Sequence, residues 1–322
     1  MKAEIERFIR SGGDFGTTAL ALYRWQRAHN PAYDRFCADA EVVTWRDIPA
    51  VPTTLFRDIP FACFEAAQAR TVFRTSGTTV GRRGVIYLLD TDIYELGSRQ
   101  HAESFLGSLP TRGVSLVSHS VDSSLGHMCQ SFIPTMQTFF SQDAGVNAPG
   151  AWQALSALAA GDGAVFVPGT AFALAELLEH AHAPVTLPPG SIVMITGGFK
   201  GRQVRVSSGS LLAALAQRLP GVRLVGEYGM SELSSQLWSE PAGTAFHPPP
   251  WMRVQPVDPG TGRPTDRGQL RFFDLANHQT VLAIETQDEG TVHPDGSVTL
   301  HGRLAGQDPR GCSLTVEEAR DR

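Results

Sequence analysis

With 322 residues the chain is long enough for one large or two ordinary domains and for an extended core. Its 42% hydrophobic and 18% charged content is that of a soluble globular protein, and a net charge of −5 gives no electrostatic footprint for nucleic acid. The cysteines at 37, 63, 129 and 312 are scattered with no C-x-x-C pair, which argues against a zinc knuckle or a disulfide framework and makes a reducing cytoplasm the expected compartment.

The first ten residues, MKAEIERFIR, mix both charge signs and lack the apolar stretch of a secretion signal. No apolar run approaches ~18 residues, so no membrane association is expected. Residues 1 to about 30 read as helical, with Ile5, Phe8 and Ile9, then Leu20, Leu22 and Trp25, at helical spacings, until Asn30-Pro31 stops the pattern. Pro49, Pro52 and Pro60 then mark an extended connector.

Two β-rich runs, TVFR and GVIYLL, flank the decapeptide Thr75–Gly84, TSGTTVGRRG. Small residues let backbone N–H groups approach an anion, and the hydroxyls of Thr75, Ser76, Thr78 and Thr79 add donors beside Gly77. Arg82 and Arg83 add charge to the same loop. The spacing is not that of a Walker loop, since a strand follows where that motif needs a helix. A phosphate-gripping loop and a plain hairpin turn both satisfy this pattern.

Farther along, apolar runs at 113–119, 163–169, 191–197 and 222–229 alternate with helical stretches at 151–160, 171–182 and 209–219. Such alternation predicts an α/β fold, a mostly parallel sheet with helices on both faces. Each run ends in a polar, glycine-bearing loop (SHSVDSS, PGT, TGGFKG, EYGMSE), and ligands bind at the carboxyl ends of parallel strands. Beyond about Ser235 the chain turns to strands joined by Pro/Gly/Asp turns, among them Pro294-Asp295-Gly296, and reads as a smaller C-terminal β-rich subdomain. The expected organisation is therefore a helical segment and connector over 1–70, an α/β core over 71–235, and the β-rich part over 236–322 with the Cys312 segment.

TSGTTVGRRG, EYGMSE, VDPGTGRPTDRG, and IETQD followed by HGR resemble, in order, the signature segments of the adenylate-forming superfamily of acyl-CoA synthetases, firefly luciferase and peptide-synthetase adenylation domains. NPAYDRFC, DIPAVPTTLFRD, TGGFKGR and RGCSL are more similar to its acyl-protein synthetase branch, the LuxE type of bacterial luminescence systems. The resemblance implies the large-domain fold of that superfamily and a two-step ligation using ATP and Mg²⁺: a carboxylic acid, expected to be fatty, becomes acyl-AMP, and the acyl group then passes to a thiol.

The resemblance also implies roles for individual residues. Thr75, Ser76, Gly77, Thr78 and Thr79 would hold the ATP phosphates, with Gly197, Gly198 and Gly229 lining the nucleotide site. Tyr228 would stack on adenine, Ser231 would reach phosphate, and Glu232 would hold Mg²⁺. Asp288 would accept from the ribose hydroxyls, with Arg303 near ribose or phosphate. Val80 stands where the family has Gly, Arg83 where it has Lys, and Gln287 where it has Gly. Most members continue into a mobile domain carrying a catalytic Lys, whereas the LuxE branch does not; Lys200 and Arg83 are the candidates to supply its charge. By packing alone, Tyr228 also reads as a core aromatic and Glu232 as the first turn of a helix.

Cys312 is the acyl acceptor that the resemblance implies, and Arg310 would share its face in an extended segment and favour the thiolate. By spacing alone, Cys312, Leu314 and Val316 alternate like one buried strand face. His119 and His127, in or beside the SHSVDSSLGHM loop, are candidates to orient the acid or line its pocket, and ordinary loop hydrogen bonding suits them equally. The acceptor beyond the chain would be a reductase-type or carrier protein. An acyl-CoA or carrier-protein ligase with a structural Cys312, and a non-catalytic nucleotide-binding protein, are the alternatives.

Overall fold

The four apolar runs become the strands Arg112–Ser115, Val165–Thr170, Ile192–Thr196 and Arg223–Tyr228 of a computed structural model that describes residues 1–75, 83–141, 143–197 and 208–304. They lie parallel at the centre of a six-stranded sheet, with the short parallel strand Gln137–Thr138 at one edge and the antiparallel Leu237–Ser239 at the other. Side chains alternate across the pleat, so successive residues of each strand feed different cores. Val165, Val167, Val193 and Ile195 enter a core with Leu155, Leu174 and Leu215, from helices Ala148–Ala159, Ala171–Glu179 and Ser208–Arg218. Phe166, Ile192, Met194 and Val225 enter the larger core on the opposite face.

Local chemistry fixes the helix starts. Asn147 Oδ1 accepts from the Gly150 amide at 3.0 Å, and Thr170 Oγ1 from the Ala173 amide at 3.1 Å, each satisfying a donor of a first turn. The N-terminal helical stretch is broken in two, Lys2–Ser11 and Phe15–His29, at Gly12, whose φ of 76° lies in the left-handed region. Asn30 stops the second helix as expected, but Pro31 opens a third, Pro31–Phe36, because proline suits a first helical position.

A second, five-stranded sheet takes Met252–Val257, Arg267–Asp274, Ala283–Val292 and Val298–Arg303 as an antiparallel series, with Val51–Pro52 added in parallel against Ala283–Val292. The expected Pro294-Asp295-Gly296 turn joins its last two strands, with Gly296 at φ 83°. Two of these strands, at 8 and 10 residues, are longer than the short strands expected of the tail.

Helices Asp92–Leu106 and Ser124–Phe132 lie outside the elements that the sequence pattern predicts. Cys129 and Phe132 of the second help fill the core that Val225 and Met194 enter. It sits close enough that a Cβ on Gly126 would come 2.1 Å from the Ser118 carbonyl oxygen, so only glycine fits there. Among the described residues no helix is long and apolar enough to cross a membrane.

Candidate active site

The decapeptide Thr75–Gly84 springs from a hairpin, Thr71–Arg74 against Val85–Leu88. Thr75 and Gly84 close its base: the Thr75 amide donates to the Gly84 carbonyl at 2.9 Å, and the Gly84 amide to Thr75 Oγ1 at 2.8 Å. Arg83 Nε donates to the Thr75 carbonyl at 2.6 Å, while its Nη1 meets Asp122 Oδ2 at 3.3 Å. The guanidinium thus braces the loop's stem against the SHSVDSS loop, whose Asp122 carbonyl also accepts from the Arg74 amide. Ser231 of EYGMSE joins the same place, donating to the Arg74 carbonyl at 3.3 Å and lying 3.3 Å from Ser124 Oγ. Three loops far apart in sequence therefore converge at the carboxyl ends of the central strands.

The second sheet supplies the other side. Tyr228 Oη donates to Asp288 Oδ2 at 2.8 Å, and the phenol ring stacks on Phe272 with centroids 5.6 Å apart. Asp288 and Arg303 are cross-strand partners, and Arg303 Nε lies 3.5 Å from Asp288 Oδ1. Burial raises the Asp288 pKa, against the Arg303 charge and the Tyr228 hydrogen bond, which hold it down. Burial, then Asp288, pushes the Tyr228 phenol well above its ordinary value, so it is a neutral donor.

Two more carboxyls line this region. Glu232 is 8% exposed, and burial pushes its pKa to about 7, with Arg303 pulling it down and Asp288 pushing it up. It makes no ion pair among the described residues. A buried carboxyl without a cation partner fits a divalent metal. Among the described residues no cluster of three or more metal-binding side chains exists, so an ion there would need oxygens from a bound phosphate, which is the usual setting of Mg²⁺.

Glu227 is 5% exposed, and burial likewise raises it to about 7, opposed by the Thr196 hydroxyl that donates to Oε2. Cys129, from the helix packed on this face, is the other titratable group beside it, its own thiol pushed up by burial. The folded protein holds this proton more tightly than the unfolded chain. The stability it contributes is full below the ordinary carboxyl value of 4.5 and is lost as pH rises through about 7. Between about pH 5 and about pH 8 the ligand-free protein should therefore lose on the order of 3 kcal/mol from this group. Thermal melts across that range should fall, and Glu227→Gln should flatten the slope; an equal slope in the variant would contradict the assignment.

Of the two candidate histidines, His119 Nε2 sits 2.8 Å from Ser115 Oγ, and burial lowers its pKa. His127 Nε2 pairs with Glu95 Oε1 at 2.9 Å, with its ring against Phe73 and Tyr94. Gly197 ends the Ile192–Thr196 strand at φ 75°, and Gly229 follows Tyr228. Ser76, Gly77, Thr78, Thr79, Gly198, Lys200 and Cys312 lie outside the described residues. The structure adds Asp122, Ser124, Phe272 and Glu227 to the site. Asp122 and Ser124 stand in a loop already marked by its polarity, whereas nothing local to Phe272 signals its stacking.

No protein-family model and no curated protein sequence matches the chain. Solved structures do. The 2-hydroxyisobutyryl-CoA ligase in complex with 2-HIB-AMP and CoA superposes with a TM-score of 0.64 at 17% identity, over 91% of this chain and 69% of that one. The O-succinylbenzoate coenzyme A synthetase from Bacillus subtilis, in complex with AMP, gives 0.53 at 17% identity over 75% of this chain and 50% of that one. The anthranilate CoA ligase in complex with anthranoyl-AMP gives 0.53 at 14% identity over 75% and 48%. The chain spans about half the length of these last two. Its fold is that of the adenylate-forming ligases, α/β as the alternation of runs predicts and of the kind that the resemblance implied.

Proposed function

We propose that the protein activates a carboxylic acid with ATP and passes the acyl group to a thiol, in the manner of an acyl-protein synthetase. The observation that carries this reading is the convergence of Tyr228, Asp288, Arg303 and Glu232 beside the stem of the Thr75–Gly84 loop. An acid oxygen would attack the α-phosphorus of ATP, breaking its bond to pyrophosphate and leaving acyl-AMP. A thiolate would then attack the acyl carbon, expelling AMP. Positioning and neutralisation of oxyanion charge are what such a transfer demands.

Each residue has a part in that scheme. The Thr75 hydroxyl and the backbone and hydroxyl donors of Ser76 to Thr79 would hold phosphate, with the stem kept in place by Arg83 and Asp122. Asp288 would take the ribose hydroxyls, with its geometry set by Tyr228 and Arg303. Glu232 would hold Mg²⁺, which supplies positive charge against the phosphates. Lys200 is the candidate for the cation at the reacting carboxylate, since Arg83 is committed to the loop stem. Cys312 would receive the acyl group, for delivery to a reductase-type or carrier protein. Coenzyme A as the thiol is the second reading, favoured by the ligases of similar fold being CoA ligases.

Acid-dependent exchange of labelled pyrophosphate into ATP tests activation, and its absence with a broad panel of acids would refute it. Cys312→Ser separates the acceptors: under the first reading exchange persists and covalent acyl labelling vanishes, and under the second turnover with coenzyme A is unchanged.

A further inference from the structure

Within the proline-marked connector lies a charge that the fold leaves unmet. Val51 and Pro52 pair in parallel with Ile284 and Glu285, on the strand that carries Asp288, and the 3-10 helix Thr53–Arg57 follows at once. Phe56 of that helix is 2% exposed and backs onto the base of the Thr75–Gly84 loop: a Cβ on Gly84 would come 3.6 Å from Phe56 Cβ. Arg57, the next residue, therefore stands where the loop stem and the second sheet meet. Its Nη2 is buried, and no described residue gives it an acceptor. A guanidinium cannot escape that cost by shedding its proton. Its charge also reaches Glu232: burial raises that carboxyl most, and Arg57 is among the charges that pull it back. The two form no ion pair among the described residues. A cation beside a loop of anion-seeking donors, with a planar fork that can meet two oxygens at once, matches a phosphate group.

We propose that Arg57 binds the β- and γ-phosphates of ATP, the part that leaves as pyrophosphate. This rests on the adenylation reading for the ligand itself. The ribose end has its own partners in Asp288 and Tyr228, whereas Arg57 is anchored through Phe56 at the loop stem. When an acid oxygen bonds to the α-phosphorus, the bond from that phosphorus to the bridging oxygen breaks, and its electron pair stays with pyrophosphate. A guanidinium held there meets negative charge that grows during the step, which lowers the barrier as well as the dissociation of ATP.

Isothermal titration of the native protein and Arg57→Met with Mg²⁺ and ATP, ADP or AMP decides the matter. The variant should bind ATP and ADP about tenfold or more weakly, and AMP within about twofold of native. Without nucleotide its thermal melt should match or exceed the native one, since an unmet buried donor is gone. A lower melt with unchanged ATP affinity would make Arg57 a structural residue and overturn the proposal. No ATP binding by the native protein, or AMP weakened as much as ATP in the variant, would overturn it too. Arg57→Gln carries the same test where the methionine variant does not fold. Pyrophosphate exchange with a panel of acids reads the underlying function separately. Loss of ATP affinity in the variant, with no exchange by the native protein, would fault acid activation alone. Exchange by the native protein, with native ATP affinity in the variant, would fault the role of Arg57 alone.

Discussion

Asp288→Ala is expected to weaken ATP binding about a hundredfold. Two interactions would vanish together: the acceptor that the proposed function gives the ribose hydroxyls, and the anchor that holds Tyr228 Oη at 2.8 Å and faces Arg303. Hydrogen bonds to a charged group contribute about 1.5–3 kcal/mol each, and two at the low end give about 3 kcal/mol, or about a hundredfold. Asp288→Asn keeps an acceptor for Tyr228 but gives up the charge, and should lose only about tenfold. Titration calorimetry with Mg²⁺ and ATP measures both. Binding by the alanine variant within about twofold of the native protein would remove Asp288 from the nucleotide site.

The second large effect is on stability. Trp251 is 2% exposed and sits where the two sheets and helix Asp92–Leu106 meet. Its Nε1 donates to Ser235 Oγ at 2.9 Å, and its ring lies edge-on to His101. Ser235 in turn donates to Asp274 Oδ1, which also accepts from the Ala276 amide. Trp251→Ala should cost about 3–5 kcal/mol, from lost burial and the cavity left behind. Trp251→Phe refills most of the volume but removes the indole donor, and should cost about 1–3 kcal/mol. Urea denaturation reads both; an alanine variant within about 1 kcal/mol of native would show that the site collapses without penalty.

What the sequence discloses and what it conceals have physical causes. The parallel strands are legible because Val, Ile and Leu run without interruption where both faces are buried. The site loops are legible because glycine and hydroxyl residues cluster after each run. Helix Asp92–Leu106 is not, since its buried face carries Gly97, Ser98 and His101, which blur the apolar period. Helix Ser124–Phe132 is hidden likewise by Gly126. The partnership of Tyr228 with Asp288 spans 60 residues, and no local pattern encodes a contact between sheets. Glu227 reads in sequence as part of a strand end, because burial of a carboxyl without a cation is visible only in three dimensions.

The second sheet draws on distant parts of the chain. Val51–Pro52 pairs with Ala283–Val292, and Gln26, from the helix Phe15–His29, bonds both the Asn277 carbonyl and the Leu282 amide. During synthesis on the ribosome, the early segments must therefore wait for residues past 280 to emerge before their partners exist. Until then the core that Phe56 and Leu22 share lacks Val281, Leu282, Ala283 and Ile284, which complete it in the finished fold. The nascent polypeptide should accordingly bind chaperones until late in translation, and arrest short of that strand should leave it prone to aggregation.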